Sequence, residues 1–174
     1  MSSEPSGDVC GTLPPTALVG DWTLARTIHE RRIGTRVSAV GTLSIHASAP
    51  ELLVWDERGE LQLGTTLLPI SRRYLIARAD SRWNVLFEDG REFHPWAPGA
   101  EVVHACGADL YRGRYQVDAP ESGWTTRWEC LGPSKDYVVE TALQRPGPAH
   151  RAGLAERADC QVTRRAARRH AWRA

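Results

Sequence analysis

The feature that most constrains this chain is punctuation. Short runs of β-branched and aromatic residues are repeatedly cut off by glycine, proline or an Asp-Gly pair. Runs that short alternate between two faces rather than wrapping a helical stripe, the pattern of an all-β sandwich or barrel. Strands are predicted near 21–28, 37–46, 51–57, 60–66, 71–78, 82–88, 91–96, 101–106, 109–117, 124–131 and 136–145. Most connections are short, so sequence neighbours should pair as antiparallel hairpins. The economical fold is a single antiparallel up-and-down barrel of eight to eleven strands, because closure removes exposed edges. A barrel of that size has room inside for a small ligand.

Composition narrows the function classes. No apolar run reaches the ~18 residues a membrane-spanning helix needs, so no membrane partner is expected. Residues 1–8 are polar and acidic without a secretory h-region, which predicts a cytoplasmic protein. Cys10, Cys106, Cys130 and Cys160 show no zinc spacing and are expected to be free thiols. The net charge of +1 conceals an acidic body and a basic end, since residues 151–174 carry seven arginines against Glu156 and Asp159. That end reads as a solvated tail or a short helix over 155–172, so nucleic acid is not the expected partner. Lys135 is the only lysine beside twenty-one arginines.

The first strand opens Leu18-Val-Gly-Asp-Trp22, and alternation puts Trp22, Leu24, Arg26 and Ile28 on one face. Three later stretches are more specific: Asp89-Gly-Arg-Glu-Phe-His94, His104-Ala-Cys-Gly-Ala-Asp-Leu-Tyr111 and Gly132-Pro-Ser-Lys-Asp-Tyr137. With these motifs the chain resembles an uncharacterised bacterial domain-of-unknown-function family of lipocalin- or calycin-like (nitrobindin-like) β-barrels. The Gly-x-Trp opening is similar to the signature in which the tryptophan plugs one end and an arginine packs over it. The resemblance spans Leu18 to Arg145 and implies a fold and shared polar positions, with no established activity attached. It divides the chain into an N-terminal segment (1–17), the barrel (18–145) and a Pro/Gly linker with the arginine-rich tail (146–174).

Tracing strand faces collects the polar residues. Asp89-Gly90 is a hairpin-turn signal. A two-residue loop there sets Val85 opposite His94 and Trp83 opposite Trp96; a glycine bulge would pair His94 with Asn84 instead. In either register, alternation keeps Glu92, His94 and Trp96 together. Gly107-Ala108 suits a type II′ turn, which sets Cys106 opposite Asp109 and His104 opposite Tyr111. His104, Cys106, Asp109, Tyr111 and Tyr115 then share an inner face, with Arg112, Arg114 and Gln116 outside. Trp124, Thr126, Trp128 and Cys130 alternate inward. Tyr137 and Arg145 follow on the last strand, with Lys135 at the rim.

So many ionisable groups on one wall are costly unless paired or wet, which points to function. Two readings follow. In the first, His94, His104, Asp109, Tyr111 and Cys106 perform cofactor-independent acid/base chemistry: an isomerase, cyclase or hydrolase acting on a small organic, possibly aromatic, substrate. In the second, the barrel is a non-catalytic carrier or sensor, with Trp83, Trp96, Tyr115, Trp124, Trp128, Lys135, Tyr137 and Arg145 contacting the ligand. The number of ionisable groups favours the first. No cofactor is expected; the alternative is haem or a transition metal held by His94, His104 and Cys106.

Overall fold

A computed structural model describes residues 13–147. Its ten strands are Gly20–Glu30 (β1), Thr35–Ala49 (β2), Leu52–Leu63 (β3), Thr66–Ala79 (β4), Arg82–Phe87 (β5), Glu92–Pro95 (β6), Glu101–Cys106 (β7), Asp109–Ala119 (β8), Gly123–Leu131 (β9) and Asp136–Gln144 (β10). They form one sheet in the order β6-β5-β4-β3-β2-β1-β10-β9-β8-β7, with every neighbouring pair antiparallel. The chain is therefore an up-and-down barrel, nearly closed. No ladder joins β6 to β7, so a seam runs between the two edge strands. Cys10, Cys160 and the arginine-rich tail lie outside the described residues.

The expected strands 51–57 and 60–66 are one continuous strand, β3. Gly59, expected to fall in a break, instead pairs with Gly41 of β2 in mid-ladder. A Cβ on Gly41 would meet the Arg58 carbonyl oxygen at 2.1 Å, and one on Gly59 would meet that of Val40 at 2.4 Å. The two glycines are there for close strand approach. The turn itself falls at Gly64, where φ is +60°.

The two ends of the barrel differ. One is sealed by a 3-10 turn, Pro15–Leu18, whose Leu18 is fully buried. Trp22 plugs this end, its indole N–H donating to the Leu18 carbonyl (2.9 Å). Trp96 donates likewise to the Leu13 carbonyl (2.8 Å). Leu43, Ile45, Leu53, Ile76, Val85 and Leu143 complete the apolar plug. The turns at 31–34, 64–65, 88–91, 107–108 and 132–135 ring the other end, which is open.

Gly113 makes room inside the wall. Its cross-strand partner is Trp128, and a Cβ there would lie 2.5 Å from the indole ring. On its other side Trp128 stacks against Phe93, so the ring has nowhere to retreat. Gly113→Ala should therefore lower stability by about 1–3 kcal/mol through overpacking. Urea unfolding followed by tryptophan fluorescence measures it; an unchanged midpoint would show that the ring can move aside.

Candidate functional site

Beyond the sealed end, the interior opens into a cavity of about 550 Å³. Its most ordered wall is a pile of parallel rings. Trp128 (β9) stacks on Phe93 (β6) at 4.9 Å between centroids and 16° between planes, and Phe93 on Tyr74 (β4) at 5.4 Å and 10°. Phe93 reaches this place through a bulge: β5 pairs Val85 with His94, then Leu86 with Glu92, leaving Phe93 as the extra residue. The Val85–His94 pairing is the one that the two-residue loop predicts. The bulge nevertheless breaks the alternation that would keep Glu92 beside His94, and Glu92 is exposed.

The cavity floor carries a buried ion pair. Arg26 donates from Nη2 to Glu57 Oε2 (2.8 Å) and from Nε to Thr141 Oγ1 (2.8 Å). The other Glu57 oxygen accepts the Trp55 indole N–H (3.0 Å). Both charges are over nine-tenths buried, and each has hydrogen bonds that offset its desolvation. Arg72 lies opposite Glu57 in the β3–β4 register and faces the same cavity. Its guanidinium stands over the Tyr74 ring, 5.7 Å from the centroid. Burial works against that charge, but the Tyr74 hydroxyl and the Glu57 carboxylate more than offset it, and Arg72 is held cationic.

His94 is 1% exposed and belongs to the seam rather than to the cavity lining. Its Nδ1 lies 2.8 Å from the Pro95 carbonyl oxygen, which can only accept, so Nδ1 carries the proton. Nε2 is then the acceptor for the Tyr115 hydroxyl, 2.8 Å away. Burial holds the imidazole neutral, lowering its pKa from the ordinary 6.5 to about 4. Burial likewise raises the Tyr115 phenol well above its usual range, so it stays a donor. With both nitrogens engaged, His94 is a satisfied core histidine whose bond ties β6 to β8 across the seam.

The other predicted residues divide into three groups. His104, Cys106, Tyr111, Tyr115, Trp128 and Tyr137 line the cavity. The pairings His104–Tyr111 and Cys106–Asp109 follow the predicted turn, with Gly107 at φ +61°. Asp109 and Lys135 form a pair at the open end: Lys135 Nζ lies 2.6 Å from Asp109 Oδ2 and 3.1 Å from the Tyr111 hydroxyl. The Asp109 and Tyr111 bonds raise the Lys135 pKa, so it remains an ammonium ion. Burial, with hydrogen bonding to Cys130 and Tyr111, raises that of Tyr137.

Trp83, Trp96 and Trp124 pack in or against the core, not on the cavity lining. Trp124 sits edge-on to Trp22 and Trp55 near the sealed end. Arg145 follows the last residue of β10 and lies beyond the strand. Nor do His94, His104 and Cys106 form a metal site: among the described residues, no three histidine, cysteine or acidic side chains converge as metal ligands.

Glu57, Arg72, Tyr74 and Phe93 also line the cavity, though no motif in the sequence marks them. The alternation Leu53-Trp55-Glu57 carried the signal for Glu57. The β3–β4 register then places Arg72 beside it.

The sequence matches the family of unknown function DUF6314 over residues 18–145. The chain belongs to that family. No curated protein matches it. Among solved structures, the barrel is similar to the S-type phycobiliprotein lyase CPES from Guillardia theta, with a TM-score of 0.56 at 10% identity, covering 76% of this chain and 90% of that one. A redesigned β-barrel, mFAP0, bound to DFHBI aligns with a TM-score of 0.43 at 17% identity, over 74% of this chain and 99% of that one. The lyase likeness establishes a shared barrel fold for this DUF6314 member.

The His94 geometry predicts a pH dependence. In the unfolded chain its imidazole takes a proton near pH 6.5, whereas in the barrel it does so only near pH 4. Stability from the neutral ring is thus complete above about pH 6.5 and is lost as the pH falls toward 4. Urea unfolding at pH 7 and 4.5 should show the wild type losing about 2 kcal/mol more than His94→Gln. Equal losses would place the acid sensitivity elsewhere.

Proposed function

We propose that this barrel binds a planar, largely apolar small molecule in its open cavity and holds it without chemical change. The observation that carries this reading is the aromatic lining of the cavity, where the Tyr74–Phe93–Trp128 pile, Trp55, Phe87 and Tyr115 surround about 550 Å³ of space. Aromatic walls favour aromatic ligands, each edge-to-face or offset ring contact adding about 0.5–1.5 kcal/mol beyond area burial. A volume of this order is typical of small-molecule pockets. The acid/base alternative loses its central parts, because His94 has no free nitrogen and the Asp109 carboxylate is tied to Lys135. His104 remains on the wall, but its ring neighbours are Phe87, Phe93 and Tyr111 rather than an orienting carboxylate.

Titration with the neutral fluorophore N-phenyl-1-naphthylamine tests the cavity. Saturable one-to-one binding is expected, with tryptophan emission quenched. Val139 lines the cavity from β10, and Val139→Phe should weaken binding about tenfold or more by filling the space. No saturable binding, or an affinity indifferent to that substitution, would overturn the reading. Native mass spectrometry of the protein as expressed supplies the chemical arm. A bound compound recovered unchanged after prolonged incubation supports carriage, whereas conversion would restore the enzyme reading, and a Soret band would reveal haem.

A further inference from the structure

We propose that the ligand is an organic anion whose acidic group is received by Arg72; the proposal rests on the cavity-binding reading above. Three observations converge on this side chain. First, Arg72 lines the cavity and keeps accessible surface there, although the surrounding wall partly desolvates its charge, so the guanidinium can be reached from the interior space. It also borders a second chamber of about 490 Å³, walled by Leu24, Leu61 and Ile70, and the two spaces share Arg26, Ile28, Glu57 and Arg72. The guanidinium therefore stands where the two spaces meet.

Second, the carboxylate opposite it, Glu57, is committed elsewhere. Glu57 uses one oxygen for Arg26 and the other for the Trp55 indole N–H. Glu30, the last residue of β1, also borders the cavity, but its carboxylate accepts the Arg32 backbone N–H at the β1–β2 turn. Arg73, next in sequence, is satisfied by Asp56 through two hydrogen bonds. Among the described residues, Arg72 has no carboxylate in ion-pair contact. The inner group of Arg26, Glu57 and Arg72 thus carries one cation more than it has anions.

Third, the surroundings suit a charge attached to a flat body. Arg72 stands over Tyr74, the outer ring of the Tyr74–Phe93–Trp128 pile. A ring system lying against the pile would bring a carboxylate or sulfonate substituent near the guanidinium, whose planar fork matches either group. Such a bond replaces water on a cation that has the Tyr74 ring and hydroxyl beside it but no carboxylate in ion-pair contact, so it adds affinity without breaking an existing ion pair.

Two matched probes test this: the anionic 1-anilinonaphthalene-8-sulfonate, and neutral N-phenyl-1-naphthylamine, which is the same arylamine without the sulfonate. The wild type should bind the anion severalfold more tightly. Arg72→Gln should weaken anion binding about tenfold or more while leaving the neutral probe within about twofold. Arg72→Lys, which keeps the charge, should preserve the anion preference; it and the wild-type ratio decide the matter if Arg72→Gln does not fold. The proposal is overturned if the wild type does not prefer the anion, if Arg72→Lys abolishes the preference, or if Arg72→Gln spares anion binding or weakens both probes equally. Binding of the neutral probe alone would leave the cavity standing and remove only the anion, whereas binding of neither would remove the cavity reading itself.

Discussion

A buried ion pair sits where the apolar core would otherwise continue, and the interior is organised around it. Arg26 on β1 reaches Glu57 on β3 and Thr141 on β10, so one network ties three strands together. Removing one partner of such a pair would leave a buried charge uncompensated, at about 3–5 kcal/mol. The pair also divides the barrel. On one side Trp22, Leu43, Ile45 and Leu143 close into a dry plug. On the other, the polar floor gives apolar side chains little reason to collapse inward, and space remains.

The seam between β6 and β7 exacts a different kind of construction. Without a ladder, closure there relies on side chains and on single backbone bonds, such as Gly99 N–H to the Tyr115 carbonyl (2.7 Å). Tyr115 therefore contributes twice, through its carbonyl to the loop after β6 and through its hydroxyl to His94. The β6 bulge that sets His94 in this position also turns Phe93 into the cavity, where it becomes the middle ring of the pile. Closure and binding wall thus share one local irregularity. At the open end, the Lys135–Asp109 pair links the β9–β10 connection to the β7–β8 turn beside Tyr111.

Much of this was legible in the sequence, and the failures have identifiable causes. Two-residue turns propagate register reliably, which is why the inward set His104, Cys106, Tyr111 and Tyr115 emerges from Gly107-Ala108 alone. Alternation also identified the faces of β1, β9 and β10. It cannot report depth along the barrel axis, so it groups Trp124 and Trp96 with the cavity although they pack toward the sealed end. Alternation fails outright at a bulge, which hid Phe93. A mid-strand glycine resembles a break when its cross-strand partner is unknown. Gly59 therefore split β3 and obscured the relation between Glu57 and Arg72.

A ligand in the open cavity must meet its aromatic lining. The six barrel tryptophans report this position by position, through their indole N–H resonances in a two-dimensional NMR spectrum during titration with N-phenyl-1-naphthylamine. Large saturable shifts are expected for Trp55, whose N–H bonds Glu57 at the cavity floor, and for Trp128 in the ring pile. Trp22 and Trp96, held by backbone carbonyls at the sealed end, should barely move. Shifts concentrated on Trp22, Trp83 or Trp96, with Trp55 and Trp128 unmoved, would contradict binding in the cavity.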